Sequence, residues 1–236
     1  MGHDGLLYDV TYQHIRRDIM DLTLEPGTAL SVRKIADRYK VGRTPAREAL
    51  MRLQKENLVY MYPQSGTIVS KLSMGRIEEE LFIRKTLELA SVDDFIRCKG
   101  PLVTDAMEYI VGQQKKSLVA GARKEYFIQD SNFHRLIFEM ANKGLAWKTI
   151  NMISSHYNRF RFLTTGDRET DERRLEQHKQ ILYAAKAGRP EEMRRILDEH
   201  IDHIRLLYKK MLTLYPKYFT GEPCPETCPE AAGPVD

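Results

Sequence analysis

From Ser73 to about Leu212 the sequence carries one hydrophobic period only, that of the α-helix, and no strand signal survives there. This constrains the fold more than any other feature of the chain. The spacing predicts helices at about 74–98, 102–119, 123–141, 145–165, 170–187 and 190–213. Gly100-Pro101, Gly121, Lys143-Gly144, Gly166-Asp167 and Gly188-Arg189-Pro190 punctuate them. Six amphipathic helices with short connections bury their apolar stripes as an antiparallel bundle.

The first 72 residues read differently. "YDVTYQHIRRDIMDLT" places Val10, Ile15, Ile19 and Leu22 on a helical stripe, and Pro26-Gly27 ends it. Ser31 then caps a short helix, "VRKIADRY". Gly42 turns the chain, and Pro45 suits the first turn of the next helix, where its missing N–H costs nothing. That helix is expected to run to about Asn57. "LVYM" and "TIVSKL" flank the turn "YPQSG" and make a small β-hairpin. The order helix, helix, turn, helix, hairpin is a winged helix-turn-helix. The fold class is therefore mainly α. A winged helix-turn-helix occupies residues 1–72, a bundle of six or seven helices residues 73–215, and a Pro/Glu/Gly-rich tail, expected to be disordered, residues 216–236.

Composition adds bounds. No apolar run approaches the roughly 20 residues of a membrane helix, and the N-terminus lacks a signal-peptide pattern. Three cysteines, Cys98, Cys224 and Cys228, argue for a reducing cytoplasm without a disulfide framework. A net charge of +4 says little about partners, so a nucleic-acid case rests on where the arginines lie.

A helix-turn-helix lays the N-terminal end of its second helix on base edges in the major groove. Arg43 and Arg47 stand at that end, and arginine reads guanine O6/N7 in bidentate fashion. Thr44 is expected on phosphate, Arg33 on the backbone or a groove edge, and the hairpin tip Gln64-Ser65-Gly66 along the minor groove. A bare pair of arginines would more often be a solvated face; the ordered motif around them reverses that weighting. The stretch "LEPGTALSVRKIADRYKVGRTPAREALMRLQKENLVYMYPQSGTIV" resembles the DNA-binding domain of GntR-type bacterial transcription regulators, through "RTPAREAL", "RLQKENLV" and a P-x-x-G wing. The resemblance covers residues 9–72 and implies DNA contacts at Arg33, Arg43, Arg47 and Gly66. Two departures are "GR" for the usual Ser-Arg, and Asn57 where Gly is common.

In "DSNFH" Asp130 and His134 are one helical turn apart and share a face with apolar neighbours. His178 shares a stripe with Ile181, Leu182 and Ala185, and His200 with Met193, Ile196, Leu197 and Ile204. His203 falls on the outer side. Three imidazoles and a carboxylate projecting into a bundle suit Zn²⁺ or a similar divalent ion. Spacing alone leaves ligands and satisfied core histidines equally open.

The bundle resembles the ligand-binding domain, called FCD, of the FadR-type branch of these regulators. "LFIRKTLELA", "DSNFHRLIFEMANKGL" and "EQHKQILYAAKAGRPEEMRRILDEHI" carry the likeness over about residues 74–213. It implies a metal held by Asp130, His134, His178 and His200, with zinc first and nickel or manganese as alternatives. An open coordination position would accept a carboxylate, and Arg84 would pair with the same ligand. A plain i,i+4 ion pair from Arg84 to Glu88 is the bland reading, worth a few tenths of a kcal/mol. His156 is taken as a lining residue, and Arg159 and Arg161 as further candidates whose bland reading is the surface.

The expected protein is a cytoplasmic, homodimeric, non-enzymatic regulator, of the repressor type. It would bind palindromic double-stranded operator DNA and respond to a small carboxylate effector. One rival is a metalloenzyme bundle with a DNA-binding head, opposed by the lack of a general base beside the histidines. Another is a constitutive DNA binder with a structural metal.

Overall fold

The computed structural model describes residues 3–62, 66–98 and 100–221. α1 (His3–Met20) lays Tyr12, Ile15 and Ile19 against α3 (Arg43–Lys55), whose Ala46, Ala49, Leu50 and Leu53 are fully buried. Between them α2 (Val32–Tyr39) starts at Ser31, whose Oγ accepts the Lys34 N–H at 3.1 Å, and stops at Lys40 in the left-handed region. Asn57, where the resemblance leads one to expect glycine, has a φ of 56°. Asparagine tolerates that conformation better than most residues, which accounts for the exchange.

The wing has one strand more than the expected hairpin. β2 (Val59–Tyr62) pairs with β3 (Gly66–Val69) from Val59↔Val69 to Tyr62↔Gly66, and β1 (Ala29–Leu30) adds to the other edge of β3 in the order β1-β3-β2. The Pro26-Gly27 turn is what brings β1 there: Gly27, at a φ of 84°, donates its N–H to Val69 O at 2.9 Å.

The bundle is all helical, as its period requires, but three of the six expected helices are broken. The first becomes α4 (Met74–Ala90) and α5 (Val92–Cys98), divided at Ser91, whose Oγ donates to Leu87 O at 2.7 Å. Such back-bonding competes with the helical ladder and bends it. α6 (Pro101–Val119) and α7 (Arg123–Met140) follow as expected. The fourth divides at Ser154 into α8 (Gly144–Ile153) and α9 (Ser155–Thr164). After α10 (Arg168–Lys186), the last divides into α11 (Pro190–Asp202), a 3-10 stretch His203–Leu207, and α12 (Tyr208–Leu214). Phe95, Met107, Phe133, Ile137, Ile181, Met193 and Leu197 form the main core.

α9 is unusual in that all ten of its residues are buried, polar ones included. The chain does not become a free tail at residue 216. Pro216–Tyr218 form a 3-10 turn, Phe219 is buried, and Leu72 donates to Tyr218 O and accepts from Thr220 N, both at 2.8 Å. The boundary drawn after residue 215 thus falls inside ordered chain, because Phe219 has an aromatic seat beside Phe160. Residues 222–236, with Cys224 and Cys228, lie outside the described residues.

Candidate functional site

The two regions marked by sequence differ in setting: the start of α3 is exposed, and the bundle cluster is buried. At the start of α3, Arg43, Thr44 and Arg47 are exposed, and among the described residues neither arginine has an ion pair or hydrogen bond. Arg33 is exposed on α2, 3.9 Å from Asp37, a contact worth little at such exposure. Gly66 has a φ of 99°, which a side chain rarely adopts, so the wing turn needs glycine there whatever else it does. Gln64 and Ser65 lie outside the described residues.

In the bundle, α7 supplies Asp130 and His134, α10 supplies His178 and α11 supplies His200; one ligand atom from each lies within 4.8 Å of the others. His200 Nε2 is 3.2 Å from His134 Nε2 and 3.3 Å from His178 Nε2, and His178 Nε2 is 3.7 Å from Asp130 Oδ1. All four residues are buried.

The outward nitrogens explain this convergence. His134 Nδ1 meets Glu88 Oε1, His178 Nδ1 lies 2.7 Å from Gln114 Oε1, and His200 Nδ1 lies 3.1 Å from Gln177 Oε1. Each Nδ1 facing an acceptor oxygen carries the proton, so each neutral ring turns a lone pair inward from Nε2. Three such lone pairs at these distances repel unless a cation lies between them. Burial keeps the rings neutral: it holds His134 below the ordinary histidine value, His178 at about 3 and His200 well below the ordinary value. Asp130 is the reverse case. Burial, the largest single effect, raises it, but the Arg161 guanidinium and the surrounding imidazoles together hold the carboxyl well below its usual range. Three neutral imidazoles and one ionised carboxylate are the forms that bind a divalent ion, and partners on the far nitrogens are the usual support of such sites. The residues therefore fit a divalent metal.

Beside the cluster lies a small cavity of about 20 Å³, lined by Arg84, Tyr157, Arg161, Arg174, His200 and His203 among others. Arg84 is 2% exposed; its Nε donates to Glu88 Oε2 at 3.2 Å and its Nη1 to Tyr157 Oη at 3.0 Å. Both readings of Arg84 thus describe the same side chain, which makes the i,i+4 pair and also faces the cavity. Arg161 pairs with Asp130, and Arg174 with Asp171 at 3.1 Å.

Other expectations need correction. His156 and Arg159 do not line this cavity. His156 Nδ1 accepts the Ser73 N–H at 3.1 Å, and Arg159 donates to Ser70 O at 2.7 Å and to Ser70 Oγ at 3.1 Å. Both face the segment joining head to bundle, because α9 turns that side away from the metal ligands. His203 is not on the outer surface: it is half-buried at the cavity wall, as the 3-10 stretch departs from the helical register that predicted otherwise. Arg161, whose bland reading was the surface, is buried. Sequence reasoning missed Gln114 and Gln177 altogether. Gln177 immediately precedes His178 inside a buried turn of α10, which was the available signal.

Comparison with known proteins agrees with this architecture. Residues 7–69 match the family described as bacterial regulatory proteins, gntR family, and residues 79–203 match the FCD domain. The chain is 30% identical to the HTH-type transcriptional repressor RspR of Escherichia coli over 82% of this chain and 85% of that protein. It is 28% identical to the gluconate operon transcriptional repressor of Bacillus licheniformis, over 81% of this chain and 80% of that one. In fold it is similar to E. coli McbR/YncC, with a TM-score of 0.71 at 20% identity over 90% of this chain and 98% of that one. A putative GntR transcriptional regulator from Rhodococcus gives a TM-score of 0.73 at 20% identity, over 88% and 98%. No described helix is long and apolar enough to cross a membrane. The chain belongs to the GntR family of bacterial regulatory proteins: it is a DNA-binding transcription regulator with an FCD domain.

Proposed function

We propose that this regulator is a cytoplasmic homodimer that represses transcription from a palindromic operator, and that a small carboxylate bound to a metal in the bundle controls its DNA affinity. The observation that carries the reading is the inward convergence of three neutral Nε2 atoms with Asp130. Zinc is the ion the donor set suits best, with nickel or manganese as alternatives. Around the cluster the guanidinium groups of Arg84, Arg161 and Arg174 already face Glu88, Asp130 and Asp171 in pairs. A divalent ion would leave this pocket with an excess of positive charge, and a small organic anion is its natural complement. The cavity holds about one water as it stands, so an effector must displace lining side chains such as Arg161. Arg84 would meet the effector carboxylate, and Arg43, Arg47, Thr44, Arg33 and Gly66 would meet DNA.

Two repressors among the relatives support the sign of regulation. Leu145 and Met152, two turns apart on α8, are both exposed and give that helix an apolar outer face suited to a second copy, and two heads are needed to read two half-sites. The test is to load purified protein with zinc and titrate it with organic acids while following operator affinity. An acid that binds only the zinc-loaded protein and changes operator affinity supports the reading. Absence of bound divalent metal after loading refutes it.

A further inference from the structure

We propose that α9 transmits occupancy of the bundle site to the DNA-binding head, and that Arg159 is the positioning residue through which it grips the linker. This rests on the reading of Asp130, His134, His178 and His200 as metal ligands.

At about 100° per residue, the side chains of α9 divide into opposite sides. Tyr157 and Arg161 point to the site, where Tyr157 Oη accepts from Arg84 Nη1 and Arg161 pairs with Asp130. His156 and Arg159 point to the linker, where His156 accepts the Ser73 N–H and Arg159 makes two bonds to Ser70. Asp130 is thus shared: one oxygen is turned to the metal cluster and the other holds α9. A ligand that draws Asp130 in, or competes for Arg161, acts on a rigid helix whose far side holds the segment leading to the wing.

Arg159 is the critical point of that far side. It is fully buried, yet among the described residues it makes no ion pair; its donors go to Ser155 O, Ser70 O and Ser70 Oγ. Burial brings its guanidinium down to about 10. A buried guanidinium hydrogen-bonded only to neutral oxygens, with the Glu80 carboxylate acting on it beyond ion-pair distance, is costly to keep, and a neutral side chain would serve mere packing better. What it supplies is a forked grip on one linker residue. The rest of the linker is tied too, Ser70 N to Leu58 O in the head and Leu72 to the C-terminal segment, so movement of α9 reaches the wing without slack.

The test is hydrogen–deuterium exchange of the full-length protein over residues 70–73, with and without Zn²⁺ as the probe, zinc binding being followed by competition with a chromophoric chelator. In the wild type, zinc slows exchange there by about fivefold or more, the lower end of couplings between sites. Arg159→Gln binds zinc with unchanged stoichiometry and affinity, but exchange over 70–73 no longer responds. Arg159→Lys, which keeps a donor to Ser70 O, restores part of the response. Should Arg159→Gln fail to fold, Ser70→Ala, which loses only the Oγ bond, must show a reduced response. A wild-type response in Arg159→Gln, or in Ser70→Ala where that variant decides, overturns the proposal. So does a wild-type linker indifferent to bound zinc. Failure of the wild type to bind zinc overturns the metal reading itself, and the relay with it.

Discussion

Replacing Arg84 by alanine is expected to weaken metal binding although Arg84 is not a ligand. Arg84 is the positive partner of Glu88, and both are almost fully buried. Removing one partner of a buried pair costs about 3–5 kcal/mol when the other charge has no escape. Here Glu88 has one, since its other oxygen faces His134 Nδ1. Arg84 also helps to keep His134 neutral, after the larger effect of burial, whereas Glu88 pulls the other way. Without Arg84 the Glu88 charge is satisfied by a proton on His134, and a protonated imidazole has no lone pair to give. Zinc affinity should fall about 10- to 100-fold at pH 7, the usual effect of losing an outer partner. Part of the loss should return at pH 8, as His134 gives up its proton. Arg84→Lys should stay near wild type. Chelator competition at the two pH values measures this, with urea unfolding to confirm the fold. An Arg84→Ala protein with wild-type zinc affinity at both pH values would refute the argument.

Arg43→Ala and Arg47→Ala should each weaken operator binding by about 1–3 kcal/mol and relax preference at one base pair; equal weakening on every sequence would make them phosphate contacts. Alanine at His134, His178 or His200 should each lower the bound metal found by elemental analysis. His203→Ala should retain it, and loss there would redraw the ligand set. Burial holds His156 at about 3, against an ordinary 6.5. The folded state therefore takes up fewer protons than the unfolded chain between those values, and this stability is present above 6.5 and lost as pH falls. The slope is up to about 1.4 kcal/mol per pH unit. His156→Gln keeps an acceptor for Ser73 without titrating, so its urea midpoint should fall less than that of wild type between pH 7 and 5; parallel curves would contradict the assignment.

The convergence of Asp130, His134, His178 and His200 was legible in part: helical spacing puts Asp130 over His134 and places His178 and His200 on apolar stripes, while the choice of ligands over satisfied core histidines came from the family resemblance. The helix-turn-helix was legible through Ser31, Gly42 and Pro45, whose chemistry is local. Helix breaks at Ser91 and Ser154 were not, since neither has a Gly or Pro beside it, and serine ends a helix only when its side chain or backbone finds another arrangement. α9 was the hardest element to read. Periodicity marks a buried face by contrast with an exposed one, and a helix buried on every side offers no contrast. Its arginines consequently looked like surface or ligand residues, while one holds Asp130 and the other holds the linker. The buried row Glu80, Arg84 and Glu88 on α4 is hidden for the same reason: charged residues at helical spacing look like a solvated face.

The pairing of Leu72 with Tyr218 and Thr220 has a consequence for the order in which the protein is made. The DNA-binding head leaves the ribosome first and can fold as a unit, whereas Phe219 follows on the order of ten seconds later at ordinary synthesis rates. Until Phe219 finds its place beside Phe160, one tie between head and bundle is missing. A nascent chain therefore has a recognition helix before it has the means to govern it, and the junction closes only when the last helices are in place.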